Sequence, residues 1–465
     1  MSKLILTDNR MTKMRVNIYH TNDIHSNYDF LKRVHNYIRK NKSENDLYFD
    51  SGDYTDLKNI IVQADQGISA MEMLVSCKLD GMTLGNNEVD LGYEAVAELA
   101  RQGNPMMVAN VTDNDDNPIS GMPASRLFVR GGKRFLVIGI GPFYKEDMTP
   151  SGYNVFSMMG NLKFHPPVEL VRKELDKMKG KYDFCILLSH SGSIIDEKIQ
   201  KELPEVDLWL GGHSHEVKTG KGYSQSGMGE FLGKITLEID GDVITEVENE
   251  QIALPEVENT EFDTLLSQKE QLADRLLSKE LPIIRELEFE PFRESELINF
   301  VCDCLLKRFE GDLAIMHSGI AEKSMRRPVS RKSLLEIFPS KLNPTFYTIK
   351  GECIMEAIKL SFDEKHIRED GRGPGFRGHV LGTLGFSSNV EVSRDPFYVK
   401  VDGKPMEPDS KYKIVTDDYL QRGSGYPSLA VPNEEAQYHK WFIRDLVEHF
   451  LMDSEIYDSA KLKRE

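Results

Sequence analysis

The residues best placed to do chemistry stand at the ends of apolar runs. Val206-Asp-Leu-Trp-Leu210 reads as a buried strand, passes into Gly211-Gly212, and then presents His213 and His215. Two imidazoles two positions apart on an extended backbone reach one point only if the turn bends around it. A metal ion is the usual reason for such a bend. Four earlier apolar segments end in the same way, in Asp23-Ile-His25, Gly52-Asp53, Gly85-Asn86 and Ser189-His190. In layered α/β sheets, sites form beyond the carboxyl ends of strands, so ligands carried on five such ends converge.

Asp23, His25, Asp53, Asn86, His190, His213 and His215 exceed the roughly four ligands of a single zinc. They suit two divalent ions about 3.5–4 Å apart that share a carboxylate, bind a phosphate oxygen and activate a water for in-line attack. The mixed nitrogen and oxygen set favours Mn, Zn, Fe or Co over Ca or Mg. Each motif alone has a plainer reading as a turn aspartate or a loop histidine, and G-H-x-H could serve a mononuclear site. All five in order, each behind an apolar strand, argue for the metal pair.

The elements that must position these residues alternate. Strand-like runs at 16–19, 47–49, 81–84, 135–140, 184–188 and 206–210 are interleaved with helical spacing at Phe30, Leu31, Val34 and Ile38, at 68–79, and at Val96, Leu99 and Ala100. This pattern predicts an α/β layered domain over 14–255. A charged connecting helix within 256–282, ended by Pro282, leads to a second domain over 283–455, punctuated by Gly-rich turns. The stretch after Ala436 reads as a closing helix with frayed last residues.

A chain of 465 residues is long for one core. Its formal charge of −17 argues against a nucleic-acid groove but not against a small anionic substrate, since a metal ion reverses the local field. No apolar run approaches the roughly 20 residues needed to span a bilayer. Leu4-Ile5-Leu6 is too short for a secretory signal, so a cytoplasmic protein is expected, with Met11 or Met14 as alternative starts. The five cysteines are scattered and read as reduced core residues.

His20-Thr-Asn-Asp23-Ile-His25, Gly52-Asp53, Gly85-Asn86-Asn87-Glu88, Ser189-His190-Ser-Gly192 and Gly212-His213-Ser-His215 resemble the ordered motifs of the calcineurin-like metallophosphoesterases, and are most similar to those of the 5′-nucleotidase branch. The resemblance implies a four-layer α/β/β/α sandwich followed by an α+β nucleotide-recognition domain. Asp23, His25, Asp53 and His215 would hold one ion, with Asp53 bridging to a second held also by Asn86, His190 and His213. Arg293-Glu-Ser-Glu-Leu-Ile-Asn-Phe300, His317-Ser-Gly-Ile320 and Arg422-Gly-Ser-Gly-Tyr-Pro427 extend it through the second half.

The pattern departs from the family in three places. Members read G-N-H-[DE] at the third motif, where the His acts on the leaving oxygen. Here Asn87 stands in its place, with Asp90, the expected partner of that His, retained. An amide donates a hydrogen bond but delivers no proton. Either the leaving group needs little protonation, or another acid such as His317 or His379 serves, or turnover is lost. The family's Gly-Ile-Arg reads Gly319-Ile320-Ala321, and its G-G-D-G reads Arg422-Gly-Ser-Gly425. Phe376 and Tyr419 match two base-stacking rings, worth roughly 1–3 kcal/mol per base, or are core aromatics. Lys341, Arg377 and Arg422 could supply positive charge, or are simply solvated.

The expected activity is metal-dependent hydrolysis of a nucleotide phosphoester to nucleoside and phosphate, with a small-molecule partner and neither nucleic acid nor membrane. The alternatives are a phosphodiesterase or pyrophosphohydrolase acting on cyclic nucleotides or nucleotide sugars, and a non-catalytic nucleotide-binding protein.

Overall fold

The computed structural model describes residues 14–465 other than Phe143 and Pro374. The expectations about a leader and about Met11 therefore lie outside the described residues. The chain divides into two units, one ending at Ala273 and the other beginning at Asp274.

In the first unit the chain runs β1 (Met14–Thr21), α1 (Tyr28–Asn41), β2 (Leu47–Asp50), α2 (Ile68–Ser76), β3 (Gly81–Met82), α3 (Asn86–Val89), α4 (Tyr93–Arg101), β4 (Ser125–Arg130), β5 (Lys133–Ile140), α5 (Pro167–Met178), β6 (Phe184–Ser189), α6 (Ser193–Glu202), β7 (Leu208–Leu210), β8 (Val217–Gly220), β9 (Tyr223–Ser226), β10 (Leu232–Asp240), β11 (Val243–Ile252) and α7 (Thr260–Leu277). One sheet has the order β11-β10-β1-β2-β3 and the other β8-β9-β7-β6-β5-β4.

Side-chain alternation decides the layering. Phe135 and Val137 of β5 and Phe184, Ile186 and Leu188 of β6 enter a core shared with Val16, Ile18, Leu47, Phe49, Ile235 and Leu237 of the opposite sheet. The intervening Leu136, Ile138, Ile140, Cys185 and Leu187 meet Val168, Val171, Ile195 and Ile199 of α5 and α6. Strands buried on both faces read as continuous apolar runs, as these do. The result is the four-layer α/β/β/α sandwich. Helix α1 buries Phe30, Leu31, Val34 and Ile38, and Asn27 caps it by accepting from the Phe30 N–H.

The strands leading into the site are parallel and in register. Thr21 pairs with Asp50 across β1 and β2, Ile140 with Ser189 across β5 and β6, and Leu188 with Leu210 across β6 and β7. Their carboxyl ends finish side by side within each sheet. Three antiparallel elements were not expected from sequence: the β10–β11 hairpin, which lies against β1, the β8–β9 hairpin and the edge strand β4.

The second unit contains α8 (Glu296–Arg308), β12 (Leu313–His317), β13 (Pro344–Lys350), α9 (Gly351–Leu360), β14 (Leu384–Phe386), β15 (Lys411–Asp417), β16 (Gln437–Tyr438) and α10 (Ile443–Phe450). Its main sheet has the order β14-β12-β15-β13-β16 and packs on a core running from Ile283 to Ala460. Cys302 and Cys304 are both buried in α8, and none of the five cysteines is paired.

The expectation of frayed last residues is wrong. Arg464 is 2% exposed, its guanidinium lies 2.5 Å from Asp303 Oδ2, and its carbonyl accepts from Val392 N at 2.7 Å. A buried carboxylate at Asp303 requires a cation beside it, and the tail supplies one. Among the described residues no helix is long and apolar enough to cross a membrane.

Candidate metal centre

The residues after β1, β2, β3, β6 and β7 meet at one end of the first unit. His25 Nε2 lies 3.2 Å from His215 Nε2, and their rings are edge to face. His215 Nε2 is 3.3 Å from Asp23 Oδ1, and His25 Nε2 is 3.8 Å from Asp53 Oδ2. On the other side His190 Nε2 is 3.4 Å from Asp53 Oδ1 and 3.8 Å from Asp23 Oδ1. The His190 and His213 rings are 5.1 Å apart, and His213 Nδ1 is 3.0 Å from Asn86 Oδ1. All seven expected residues thus lie together. For bonds of about 2.0–2.2 Å to a tetrahedral ion, adjacent donors sit roughly 3.3–3.6 Å apart, the range these spacings straddle.

Asp23, His25 and His215 form one group able to hold a cation, and Asp23, Asp53 and His190 form another. The buried atoms Asp23 Oδ1 and His190 Nε2 have no hydrogen-bond partner among the described residues. Leaving such atoms unpaired costs about 1–3 kcal/mol each, and a divalent cation removes that cost. The donor set therefore fits the metal ions that the sequence implies.

Local backbone explains how short turns bring the donors inward. Asp23, His25, Asp53, His213 and His215 all have φ between +47° and +75°, and are five of the twelve described non-glycine residues with positive φ. That conformation costs about 1 kcal/mol or more for a residue with a Cβ, and such strain gathers at functional sites. Gly52 and Gly85 allow two turns to touch. A Cβ on Gly52 would stand 2.5 Å from the Gly85 nitrogen, and one on Gly85 would stand 2.1 Å from Asp53 Oδ1.

Hydrogen bonds then orient the donors. His190 Nδ1 lies 2.7 Å from the Ser51 carbonyl, which can only accept, so the ring donates there and turns Nε2 to the carboxylates. Asp23 Oδ2 accepts from Asn22 Nδ2 at 2.7 Å and from His213 N at 2.9 Å, leaving Oδ1 as its inward atom. Burial disfavours the His190 cation, but the adjacent Asp53 and Asp23 carboxylates outweigh this and raise its pKa to about 10. Burial pushes the Asp53 carboxyl up, and His190 and His25 more than reverse it, holding it well below the usual range. Burial and the neighbouring His190 lower His213 to about 4, so it is a neutral donor at pH 7.

Asn87 does not project away from the cluster. Its backbone N–H donates to Asp53 Oδ1 and its Nδ2 to Asp53 Oδ2, both at 2.8 Å. Asp90 is exposed at the end of α3, where its N–H bonds the Asn86 carbonyl at 2.9 Å. The sequence reading gave Glu88 no role, although it holds two of the turns together. Its fully buried carboxylate accepts from Asp53 N, Thr55 N, Thr55 Oγ1 and Gly85 N at 2.8–2.9 Å. A carboxylate immediately after two polar residues, in a turn too short to leave the core, was the available signal.

The residues expected to bind substrate are arranged differently. Phe376 and Tyr419 stack on each other at 4.9 Å, both buried, with the His317 ring 4.9 Å from Tyr419. A base between two rings needs them about 7 Å apart, twice a van der Waals contact, so the expected slot is closed here. His317 is buried with Nε2 3.1 Å from Asp417 Oδ2, while exposed His379 lies 2.7 Å from Glu322. Arg422 is paired with Asp418, and Arg377 Nη1 bonds the Phe376 carbonyl at 2.8 Å.

Comparison with known proteins bears on the family and the fold. The profile for calcineurin-like phosphoesterases matches residues 16–217, and that for the 5′-nucleotidase C-terminal domain matches 278–430. The chain is 25% identical to an uncharacterized metallophosphoesterase, YunD, of Bacillus subtilis, over 94% of this chain and 98% of that protein. It is 23% identical to the 5′-nucleotidase of Mus musculus, over 87% of this chain and 82% of the relative. The crystal structure of a 5′-nucleotidase precursor from Thermus thermophilus superposes with a TM-score of 0.55 at 19% identity, covering 94% of this chain and 96% of that one. Taken with the layered sandwich, these matches mean that the chain belongs to the calcineurin-like metallophosphoesterases of the two-domain 5′-nucleotidase type, hydrolases of phosphoric esters.

Proposed function

We propose that this chain hydrolyses a nucleotide phosphoester to nucleoside and phosphate at a two-metal centre. Asp23, His25, Asp53 and His215 would hold one ion, and Asp53, Asn86, His190 and His213 the other. The observation that carries the reading is a pair of buried atoms without a hydrogen-bond partner among the described residues, Asp23 Oδ1 and His190 Nε2, which face each other at 3.8 Å with Asp53 Oδ1 3.4 Å from His190 Nε2. Asp53 is the natural shared ligand. Its Oδ1 faces His190 and its Oδ2 faces His25, whereas Asp23 has one oxygen already committed to Asn22 and His213.

When bound, two divalent ions supply a Lewis acid for the phosphate oxygens and a water of lowered pKa. The chain's own residues hold the donors at fixed spacing. Asn87, by donating to both oxygens of Asp53, keeps that carboxylate flat between the two sides. As an amide, Asn87 cannot transfer a proton to a leaving oxygen.

That last feature favours a second reading, in which the bond cleaved is a phosphodiester or phosphoanhydride whose leaving group needs little protonation. A panel of p-nitrophenyl phosphate, bis-p-nitrophenyl phosphate, a nucleoside 5′-monophosphate and a nucleotide sugar, assayed with Mn²⁺, separates the two. Fastest turnover of the monophosphate supports the first reading, and diester or anhydride preference supports the second. Absence of turnover on all four by protein shown to carry two ions would sink both. In the same panel Asn87→His should raise the rate on the nucleoside monophosphate by ~100-fold or more, the lower reach of general-acid catalysis, with little change on p-nitrophenyl phosphate. A gain on neither would mean that protonation of the leaving group is not what limits the enzyme.

A further inference from the structure

Beneath two of the histidine-bearing turns runs a buried polar chain that the hydrolytic chemistry does not use. Ser189, immediately before His190, donates its hydroxyl to Asp196 Oδ1 at 2.5 Å. Asp196 Oδ2 accepts from the Tyr223 hydroxyl at 3.0 Å, and that hydroxyl also lies 3.1 Å from the side-chain amide of Gln225. The same amide is 3.0 Å from Ser214 Oγ, and Ser214 stands between His213 and His215. Ser189, Asp196 and Gln225 are wholly buried, and Tyr223 nearly so.

Five side chains from β6, α6, β9 and the loop after β7 thus form one path from the His190 turn to the His213–His215 turn. The end of β7 rests on it, since a Cβ on Gly211 would stand 2.3 Å from the Tyr223 hydroxyl oxygen and 3.1 Å from Asp196 Oδ2. Ile195, Ile199 and Trp209 share a core with Tyr223, and Lys218 Nζ lies 5.7 Å from the Tyr223 ring. A carboxyl group in such a place is costly unless fully hydrogen-bonded, and leucine would pack there without that cost. What leucine could not do is hydrogen-bond the two turns to each other beyond the last ladder pair of β6 and β7, Leu188 with Leu210.

We propose that Asp196, Tyr223 and Gln225 are positioning residues that fix the separation between His190 and the His213–His215 turn, and so set metal affinity. The proposal rests on the two-metal reading above. It gives these side chains the part that groups hydrogen-bonded behind metal ligands play generally, where substitution weakens metal binding by about 10–100-fold.

The test is calorimetric titration of Mn²⁺ into the chelator-stripped full chain, with thermal unfolding of each metal-free protein alongside. Tyr223→Phe removes one hydroxyl at the centre of the path, and Gln225→Met removes its link to Ser214. Each should weaken Mn²⁺ binding by ~10–100-fold with metal-free Tm close to wild type, and turnover should return at saturating Mn²⁺. Asp196→Asn keeps an acceptor for Ser189 and a polar partner for Tyr223, and should retain the wild-type affinity, while Asp196→Leu should not. Unchanged Mn²⁺ affinity in both Tyr223→Phe and Gln225→Met overturns the proposal, as does a loss of affinity that merely follows a loss of Tm. Should Tyr223→Phe fail to fold, Gln225→Met decides alone. Failure of the wild type to take up Mn²⁺ would instead remove the two-metal reading on which the proposal stands.

Discussion

The donor cluster of the first unit and the aromatic group of the second were both singled out by residue type and spacing, yet they differ in one physical respect. Around Asp53 the polar atoms are left unsatisfied, with Asp23 Oδ1 and His190 Nε2 unpartnered and five donor residues held at positive φ. Around Tyr419 the rings and charges are paired with one another, although His317 Nδ1 is also buried without a hydrogen-bond partner among the described residues. Phe376 stacks on it, Asp417 holds His317, and Asp418 holds Arg422. Unpaired polar atoms on a strained backbone describe a place with binding energy still to give. Rings stacked on each other and charges paired with each other describe a packed interior, and a ligand entering between those rings must first break contacts that stabilise the fold.

The sharpest way to break this contrast is at Asp53. Asp53→Asn removes the charge from the carboxylate that faces both sides of the cluster. Turnover should fall by more than the ~100-fold that bounds loss of a group merely supporting a ligand, with one or both ions lost on metal analysis. Turnover within ten-fold of wild type would show that the cluster is not the reaction centre. Glu88→Leu should act next most strongly, through the fold of the site. It leaves three backbone N–H groups and one hydroxyl without their acceptor, at about 1–3 kcal/mol for each one that stays buried and unpaired. A loss of about 3–5 kcal/mol in chemical denaturation is expected, with Mn²⁺ uptake impaired in the fraction that folds. Equal stability would mean that water replaces the carboxylate and that the two turns need no clasp.

The same contrast explains what could be read from the sequence. The donors of the first unit were legible because each follows an apolar strand directly, so chain order and spatial order coincide, as Ile140, Ser189 and Leu210 show at neighbouring strand ends. The parallel strands buried on both faces were equally plain, being continuous apolar runs. Residues 232–252 were missed although 232–240 alternate with period two, because the charged face of that hairpin resembles a solvated loop until β1 is known to lie beside it. Glu88 offered only its place in a short buried turn and Asp196 no signal at all, since nothing in a sequence says which buried acid accepts from which turn. The closed ring pair was invisible for a related reason. Phe376 and Tyr419 are 43 positions apart, and spacing alone cannot separate two rings that flank a ligand from two that touch.

Phe376→Ala tests the second region directly. A packed ring exchanged for a methyl group costs about 3–5 kcal/mol, so the variant should unfold at markedly lower denaturant concentration. Its rate on p-nitrophenyl phosphate per folded molecule should be unchanged. Full stability with a raised KM for a nucleotide would reverse the comparison, making the ring a substrate platform and not an interior contact.

The smallest expected effect concerns the charge pairing beside those rings. Asp418 is buried, and burial raises its carboxyl to about 6, with Arg422 pulling the other way and Asp417 adding to the rise. A carboxyl whose folded pKa lies above its usual value near 4 is favoured by folding when protonated. Its contribution is therefore fully present below about pH 4 and is lost as pH rises through about 6. Relative to Asp418→Asn, which keeps a neutral group of the same shape, the wild type should lose about 1–3 kcal/mol between these limits and then level off. Thermal unfolding of both proteins from pH 4.5 to 7.5 measures the difference. A gap between wild type and variant that does not change with pH would mean that Arg422 fully compensates the buried carboxylate, and that the second region is satisfied in its charges as completely as in its rings.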